Sequence, residues 1–317
     1  MQLLAPIVVF VYNRLEHTRQ TIEALAKNAL AKDSDLIIYS DTSKSERGIA
    51  KVQETRQYVD FITSQSFFKS TTVIKANQNK GLANSVIQGV TETINIYGKV
   101  IVVEDDLVTT PDFLTYMNKA LDFYEKDQTI WSISGYSFKM KIPKSYAHDF
   151  FYSYRASSWG YATWADRWNT IDWDVKDYSD FKMNREKRKQ INRGGRDMAR
   201  MLDSQMEGRI DSWAIRWCYE QSKQNKFAIY PVHSRVKNIG LDGSGTHSKE
   251  SKKNKKWDSI LSSSGKEIKF EKLEIDKRIA RRFKNRYGTV VGIVIGKFKR
   301  FVKLIIFKLN PRFLEQF

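Results

Sequence analysis

The sequence predicts an α/β domain with a mostly parallel sheet and helices on both of its faces. Short apolar runs rich in β-branched residues alternate with stretches of helical periodicity. This alternation is typical of right-handed β-α-β units, in which every strand runs the same way. Buried strands are predicted at 6–12, 35–41, 71–75 and 99–103, with helices at about 17–28 and 52–64 and a third ending near 96.

Polar side chains follow three of these strands. Asn13-Arg14 follows the first strand, Asp41 ends the second, and Glu104-Asp105-Asp106 ends the fourth. The carboxyl ends of parallel strands meet at one rim of the sheet, and ligands of open α/β sheets bind there. We therefore expect these side chains to face a common site.

The acidic triplet carries the clearest chemical signal. Three adjacent carboxylates repel one another and lose hydration at the end of a buried strand, unless a cation compensates them. Hard oxygen ligands suit Mg²⁺ or Mn²⁺, which keep waters and bridge phosphates. Thr110 as N-cap and Pro111 as first helical residue then predict a helix to about Tyr124. The alternative is a set of solvated loop acids, but this succession favours a metal–diphosphate site.

The second half of the chain is less regular. A strand is predicted at 130–134, an aromatic segment at 150–164, polar helices over 181–208 and a late strand at 226–232. Asp211, before an apolar helical pattern, is either a helix cap or a general base near an acceptor. The glycine-rich loop 238–248 could bring backbone N–H groups to phosphate oxygens. His247 in that loop is a candidate metal ligand, although a lone histidine usually is not one.

Composition limits the classes of protein. The 317 residues include one cysteine, Cys218, which excludes an internal disulfide framework and fits a reducing compartment. No secretion leader and no apolar run of membrane-spanning length is predicted. The net charge of +18 gathers late in the chain, where 290–308 mixes apolar with basic residues. We expect a domain at 1–250 and, at 251–317, a basic linker and amphipathic helical tail. The tail helix either lies on the anionic inner face of the cell membrane, which the density of basic residues favours, or packs on the domain itself.

These motifs resemble a known family. The segments 6–14, 40–41, 79–81, 102–106 and 111–113 together are similar to the nucleotide-sugar domain of GT-A (Rossmann-like) glycosyltransferases. The N-acetylglucosaminyltransferase I type and bacterial family-2-like enzymes of polysaccharide gene clusters are the nearest in pattern, over roughly residues 5–250. The resemblance implies a glycosyltransferase, hexosyl- or N-acetylhexosaminyl-, that uses a nucleotide-sugar donor and Mn²⁺ or Mg²⁺.

The resemblance also implies residue roles. Asp106 would be the protein ligand of the metal, with His247 a late ligand, and Glu104 and Asp105 would contact the ribose and its surroundings. Asp41 would hydrogen-bond a uridine-type base, and Arg14 would lie near the diphosphate. The donor-binding set is completed by Lys80, Gly81 and Asn84. The family carries Asp-Asp-Trp where this chain has Asp211-Ser212-Trp213, so the catalytic base aligns with Asp211 or with Ser212.

The chemistry requires such groups. A divalent metal neutralises the charge that develops on a leaving diphosphate, and a carboxylate can take the proton of an acceptor hydroxyl. No second carboxylate is placed as a nucleophile, which favours single displacement with inversion onto a saccharide or lipid-linked saccharide acceptor. A nucleic-acid-binding module would explain the charge, but no motif of that class is present. A nucleotidyltransferase or a dehydrogenase would need a glycine-rich loop where Asn13-Arg14-Leu15-Glu16 stands.

Overall fold

The computed structural model describes residues 3–243, 257, 259, 261 and 268–288. The strands are β1 Ile7–Val11, β2 Asp35–Ser40, β3 Ser70–Lys75, β4 Lys99–Glu104, β5 Leu107–Thr109, β6 Ile130–Ser134, β7 Phe150–Ser153, β8 Tyr161–Trp164, β9 Phe227–Pro231 and β10 Val236–Asn238. The α-helices are α1 Leu15–Ala26, α2 Ile49–Thr63, α3 Gly81–Tyr97, α4 Phe113–Tyr124, α5 Ala165–Trp168, α6 Tyr178–Met183, α7 Arg185–Ile191, α8 Met198–Met206, α9 Trp213–Lys223 and α10 Lys277–Arg286.

Within these residues, eight strands form one sheet in the order β3-β2-β1-β4-β8-β6-β9-β7. Neighbours among β3, β2, β1 and β4 are parallel, and only β7 and β8 run antiparallel to their neighbours. The sheet is therefore mostly parallel, which confirms the predicted α/β class. Strands β1 and β4 are neighbours in its parallel half, and their apolar residues are buried.

One local prediction needs correction. The helix after the acidic triplet begins at Phe113, and Asp112 occupies its N-cap position without a capping hydrogen bond. Thr110 is therefore not the cap, and Pro111 lies in the preceding turn; the Thr110 hydroxyl instead donates to the Asp112 carboxylate at 2.5 Å. The aromatic segment, for which no element was predicted, contains the strands β7 and β8, which do not pair with each other; β7 runs antiparallel to β9, and β8 runs antiparallel to β4 and β6. Gly160, between the two strands, has φ of +65°.

A two-stranded antiparallel ribbon stands beside the main sheet. It pairs β5, directly after the acidic triplet, with β10 near the end of the domain. The backbone N–H of Ile239 donates to the Asp106 carbonyl at 2.9 Å and extends this pairing. The ribbon thus fixes the late segment 236–240 against the carboxyl end of β4.

Residues 268–288 belong to the predicted tail but pack against the domain. Phe270 contacts Tyr124 and Phe150, and Ile279 and Phe283 of α10 are buried. Residues 290–308, the predicted amphipathic segment, lie outside the described residues, and the division at residue 250 stays a prediction. Among the residues that the structure covers, no helix is sufficiently long and apolar to cross a membrane.

Candidate active site

The site is built where β1 and β4, adjacent and parallel, both end. Arg14 follows β1, and its guanidinium reaches across to the acids that follow β4. Its Nε donates to Asp105 Oδ2 at 3.3 Å, its Nη2 forms an ion pair with Asp105 Oδ1, and Nη2 also lies 2.9 Å from Asp106 Oδ2. Asp105 and Asp106 are 5% and 8% exposed. The structure thus brings three of the predicted site residues into one charged cluster.

The cluster holds more negative than positive charge. Burial, followed by the charges of Asp106 and Asp105, raises the pKa of the Glu104 carboxyl. Burial likewise raises the pKa of Asp105, against the charge and hydrogen bonds of Arg14. Burial by itself would lower the pKa of the Arg14 guanidinium. The charges and hydrogen bonds of Asp105 and Asp106 outweigh this effect, so the pKa of Arg14 is raised. Arg14 is therefore held cationic, but one guanidinium does not compensate all three acidic side chains, and the raised pKa of Glu104 favours its protonated form when no further cation is bound.

The backbone of the triplet is fixed by α1. The Thr21 hydroxyl donates to the Asp105 carbonyl at 2.9 Å and accepts from the Leu107 N–H at 3.1 Å. Thr21 is fully buried, so it clamps the turn between β4 and β5 from inside. Sequence reasoning missed this role because a threonine within a helix carries no distinguishing signal.

Gly240 lies directly over the cluster. A Cβ on this residue would stand 2.1 Å from Asp106 Oδ2 and 2.9 Å from Arg14 Nη1, so only glycine permits this approach. Arg14 Nη1 is buried and has no hydrogen-bond partner among the described residues. On the same loop, Asp242 lies 3.2 Å from His17 Nε2 of α1. The sequence indicated a glycine-rich loop near phosphate, but not that its first glycine packs on the acids.

Asp41 organises the neighbouring part of the rim. Its Oδ1 accepts from the N–H groups of Thr42 and Lys80 at 2.8 and 3.0 Å, and its Oδ2 accepts from Asn79 Nδ2 and the Gly81 N–H at 3.1 and 2.9 Å. The carboxylate therefore holds the 79–81 loop at the start of α3. Gly81 has φ of +74°, a conformation that glycine favours.

The other two predicted donor residues face their own helix. Lys80 Nζ donates to Gln88 Oε1 at 2.7 Å, and Asn84 Nδ2 donates to the Lys80 carbonyl at 3.0 Å. Arg56 of α2, which the sequence did not single out, donates to the Ala76 carbonyl at 2.8 Å and to Ser40 Oγ at 3.2 Å. It ties the ends of β2 and β3 together below the loop.

Asp211 lies at the start of α9, one residue before the N-cap position, which Ser212 occupies. Trp213, the first residue of α9, packs on Tyr161 with ring centroids 5.7 Å apart. The Tyr161 hydroxyl is buried without a hydrogen-bond partner among the described residues; burial, and then the charge of Glu104, raises its pKa. Because Tyr161 pairs with Val102 of β4, its ring connects the start of α9 with the strand that ends in the acidic triplet. Asp211 itself is exposed.

The metal prediction can be tested against the geometry. Among the described residues, no three acidic, histidine or cysteine side chains converge to enclose a metal ion. Mg²⁺ and Mn²⁺ are commonly held by one or two carboxylates together with substrate phosphates and waters. The undercompensated oxygens of Asp106 and its neighbours suit such a site. His247 lies outside the described residues.

Comparison with known proteins identifies the family. Residues 7–183, more than half of the chain, match glycosyl transferase family 2. No curated protein matches the chain. Among solved structures, the mannosyltransferase PcManGT from Pyrobaculum calidifontis, in complex with GDP-Man and Mn²⁺, is 12% identical with a TM-score of 0.34. This chain covers 44% of it, and 51% of this chain is covered.

A second similar structure is S. aureus TarS 1-349 in complex with UDP-GlcNAc. It is 16% identical with a TM-score of 0.33, over 45% of this chain and 37% of that one. The longer S. aureus TarS is 12% identical with a TM-score of 0.36, over 54% and 30%. This chain spans less than half the length of these structures, and the assignment depends on the family match alone. The chain belongs to glycosyl transferase family 2.

Proposed function

We propose that this chain is a metal-dependent and inverting glycosyltransferase, and that it takes a hexosyl or N-acetylhexosaminyl group from a nucleotide sugar, a UDP-sugar in our proposal. The acceptor is a glycan or lipid-linked saccharide of surface polysaccharide synthesis. The observation that carries this proposal is the undercompensated acidic cluster at the carboxyl ends of β1 and β4. Such a cluster is suited to a divalent ion bound together with a donor diphosphate.

In this proposal each of several side chains binds a different part of the donor. Asp106 would hold Mn²⁺ or Mg²⁺, with His247 as a second ligand, while Glu104 and Asp105 would contact the ribose and its surroundings. Arg14 directs its unpaired Nη1 to a diphosphate oxygen, for which a buried guanidinium N–H is a strong donor. The bound metal would neutralise the charge of the leaving diphosphate.

The nucleoside is proposed to bind beside the loop at 79–81. Both Asp41 oxygens already accept two hydrogen bonds, which is about the capacity of a carboxylate. We propose that a base N–H replaces the longest of these bonds, the one from Asn79 Nδ2. Lys80, Gly81 and Asn84 shape the loop that receives the base.

Asp211 is proposed as the general base. The acceptor hydroxyl attacks C1 of the sugar, a new C1–O bond forms, and the bond to the diphosphate oxygen breaks with inversion. The acceptor proton passes to the Asp211 carboxylate, which is exposed and can receive an acceptor from solvent. Ser212 is the alternative position for this role, and it lacks a carboxylate.

The predicted division at residue 250 fits a membrane-proximal acceptor. We propose that residues 1–250 catalyse transfer and that 251–317 associate with the anionic inner face of the cell membrane. The sequence of 290–308, which alternates apolar and basic residues, supports this location because such segments partition to anionic interfaces.

Thermal unfolding tests the donor and metal proposals together. UDP, UDP-sugars and GDP-sugars are each added with and without Mn²⁺. A ligand at about a hundred times its Kd stabilises by about 2.7 kcal/mol, or roughly 5–10 °C in Tm. Asp106→Asn should abolish the Mn²⁺-dependent increase in Tm. The control Asp122→Asn, which removes the α4 carboxylate that pairs with Lys99 of β4, should retain that increase. A full increase in Asp106→Asn would refute the metal role.

A further inference from the structure

Helix α10 presents a dense basic surface on the outside of the domain. Its sequence, KRIARRFKNR, contains no acidic residue. Ile279 and Phe283 are buried, while Lys277, Arg278, Arg281 and Arg282 are exposed. The helix therefore uses two apolar side chains to dock and directs its charges to solvent.

The docking is specific. Phe283 packs on Phe138 and Tyr230, each with ring centroids 5.0 Å apart. The Asp276 carboxylate caps the helix by accepting from the N–H groups of Arg278 and Ile279 at 2.8 and 3.2 Å. After the helix, the ring of Tyr287 stacks on the Arg155 guanidinium, with Arg155 Cζ 3.8 Å from the ring centroid. The orientation of the basic face is thus fixed relative to the sheet.

The basic face extends beyond the helix. Arg282 Nη1 donates to the Lys141 carbonyl, and Arg278 Nη1 donates to Ser145 Oγ at 3.0 Å, which joins α10 to the loop before β7. That loop contributes the exposed lysines 141 and 144. We define the α10 basic surface as Lys141, Lys144, Lys277, Arg281, Arg282 and Lys284.

Positive charges also crowd the other end of the helix. Arg196 Nη2 donates to Asn285 Oδ1 at 3.2 Å, which brings a further guanidinium beside α10. Burial, and then the charges of Arg196 and Arg193, lowers the pKa of Lys284. Of the carboxylates beside α10, Asp276 pairs with Arg278 and Glu271 lies 2.6 Å from His148 Nδ1, while Glu274 is exposed. Among the described residues, basic side chains therefore outnumber acidic ones on this surface, which suits a polyanionic partner.

We infer that the α10 basic surface binds anionic phospholipid headgroups and sets the orientation of the catalytic domain on a membrane. A lipid surface fits better than nucleic acid because of the sequence that comes after the helix. The 29 residues beyond Gly288 contain apolar residues interleaved with lysine and arginine. Interleaved apolar and basic residues are typical of segments that bind the interface of anionic bilayers.

This inference rests on the proposed membrane association of residues 251–317 and deepens it, because it assigns lipid binding to the folded helix α10 and the loop before β7 rather than to residues 290–308. The test uses the full chain and vesicles of phosphatidylcholine with about 30 mol% phosphatidylglycerol, and pure phosphatidylcholine for comparison. The triple variant K141Q/K277Q/R281Q removes three exposed charges that have no ion-pair partner within the described part of the chain. The matched control K27Q/K51Q/K126Q removes three exposed charges on other faces.

A basic residue near an anionic surface contributes about a fivefold change in partitioning. The triple variant should therefore partition at least about tenfold more weakly to the anionic vesicles, and the control within about twofold of the native chain. Equal binding by the native chain and the triple variant would overturn the inference, as would an equal loss in the control. So would loss of duplex DNA binding in the triple variant with vesicle binding unchanged.

Donor binding is measured separately on the same proteins. Both triple variants should keep the thermal stabilisation by nucleotide sugar and Mn²⁺, since none of the six residues belongs to the donor site. A failure of donor binding in the native chain would count against the proposed function and leave the vesicle result interpretable.

Discussion

Gly240→Ala should damage the donor site without a large loss of fold. The added Cβ would stand 2.1 Å from Asp106 Oδ2, 2.8 Å from Asp106 Cγ and 2.9 Å from Arg14 Nη1. These separations are far below van der Waals contact, so either the loop or the carboxylate must move. Ile239 N–H is tied to the Asp106 backbone, which leaves the side chains of Asp106 and Arg14 as the parts that yield.

The magnitude can be worked from the cost of overpacking. Inserting a methyl group into a packed site costs about 1–3 kcal/mol. If the cluster must return to its native arrangement to bind a donor, this cost appears in binding, as a loss of about 5- to 150-fold in donor affinity. The assay is the affinity for UDP or a UDP-sugar in the presence of Mn²⁺, by calorimetry, alongside Tm without ligand.

Gly194→Ala provides the matched control. Its Cβ would stand 2.8 Å from Met198 Sδ and 2.9 Å from Arg155 Cβ, which belong neither to the charged cluster nor to the β5–β10 ribbon. We expect this variant to lower Tm and to bind the donor normally once folded. A Gly240→Ala protein with native donor affinity would refute the proposal that this loop and the acids form one site.

Three further predictions concern charged residues. Arg14→Lys should lower donor affinity by about tenfold or more, because an ammonium cannot reproduce the forked contacts to Asp105 and Asp106; native affinity by calorimetry would contradict this. The Arg188 hydrogen bond lowers the pKa of Asp203, so that pair should stabilise the fold above about pH 4 and lose its contribution as pH falls through the depressed pKa. Urea unfolding at stepped pH should show that slope, and it should weaken in Asp203→Asn. Arg167→Met should cost about 3 kcal/mol in the same assay, because it removes a buried donor to the carbonyls of residues 124, 125 and 127; a change below about 1 kcal/mol would argue against this.

The parallel half of the fold could be predicted because its signals are local. Each buried strand is a short β-branched run followed by a helix of clear periodicity, and parallel topology then requires the strand ends to meet. Arg14, Asp41 and the acidic triplet could be identified for the same reason. The residues that a late segment contributes were harder to find.

Gly240 shows the limit of sequence reasoning. It lies more than 130 positions after Asp106, and only the pairing of β5 with β10 brings the two together. Neither strand exceeds three residues, so neither stands out by periodicity. Helix α4 begins at Phe113 rather than at the predicted Pro111 for a related reason. The Asp112 carboxylate accepts a hydrogen bond from Arg235 Nε, and Arg235 also comes from the late part of the chain.

The β5–β10 ribbon also has a consequence for biosynthesis. The ribosome synthesises Asp106 long before the segment that completes the ribbon. The acidic side chains therefore stay partly exposed until β10 has been made and can pair with β5. Pairings between remote parts of a chain form late and expose a chain to misassembly meanwhile. Chains that stall before residue 236 should therefore build the parallel sheet yet lack the proposed donor site.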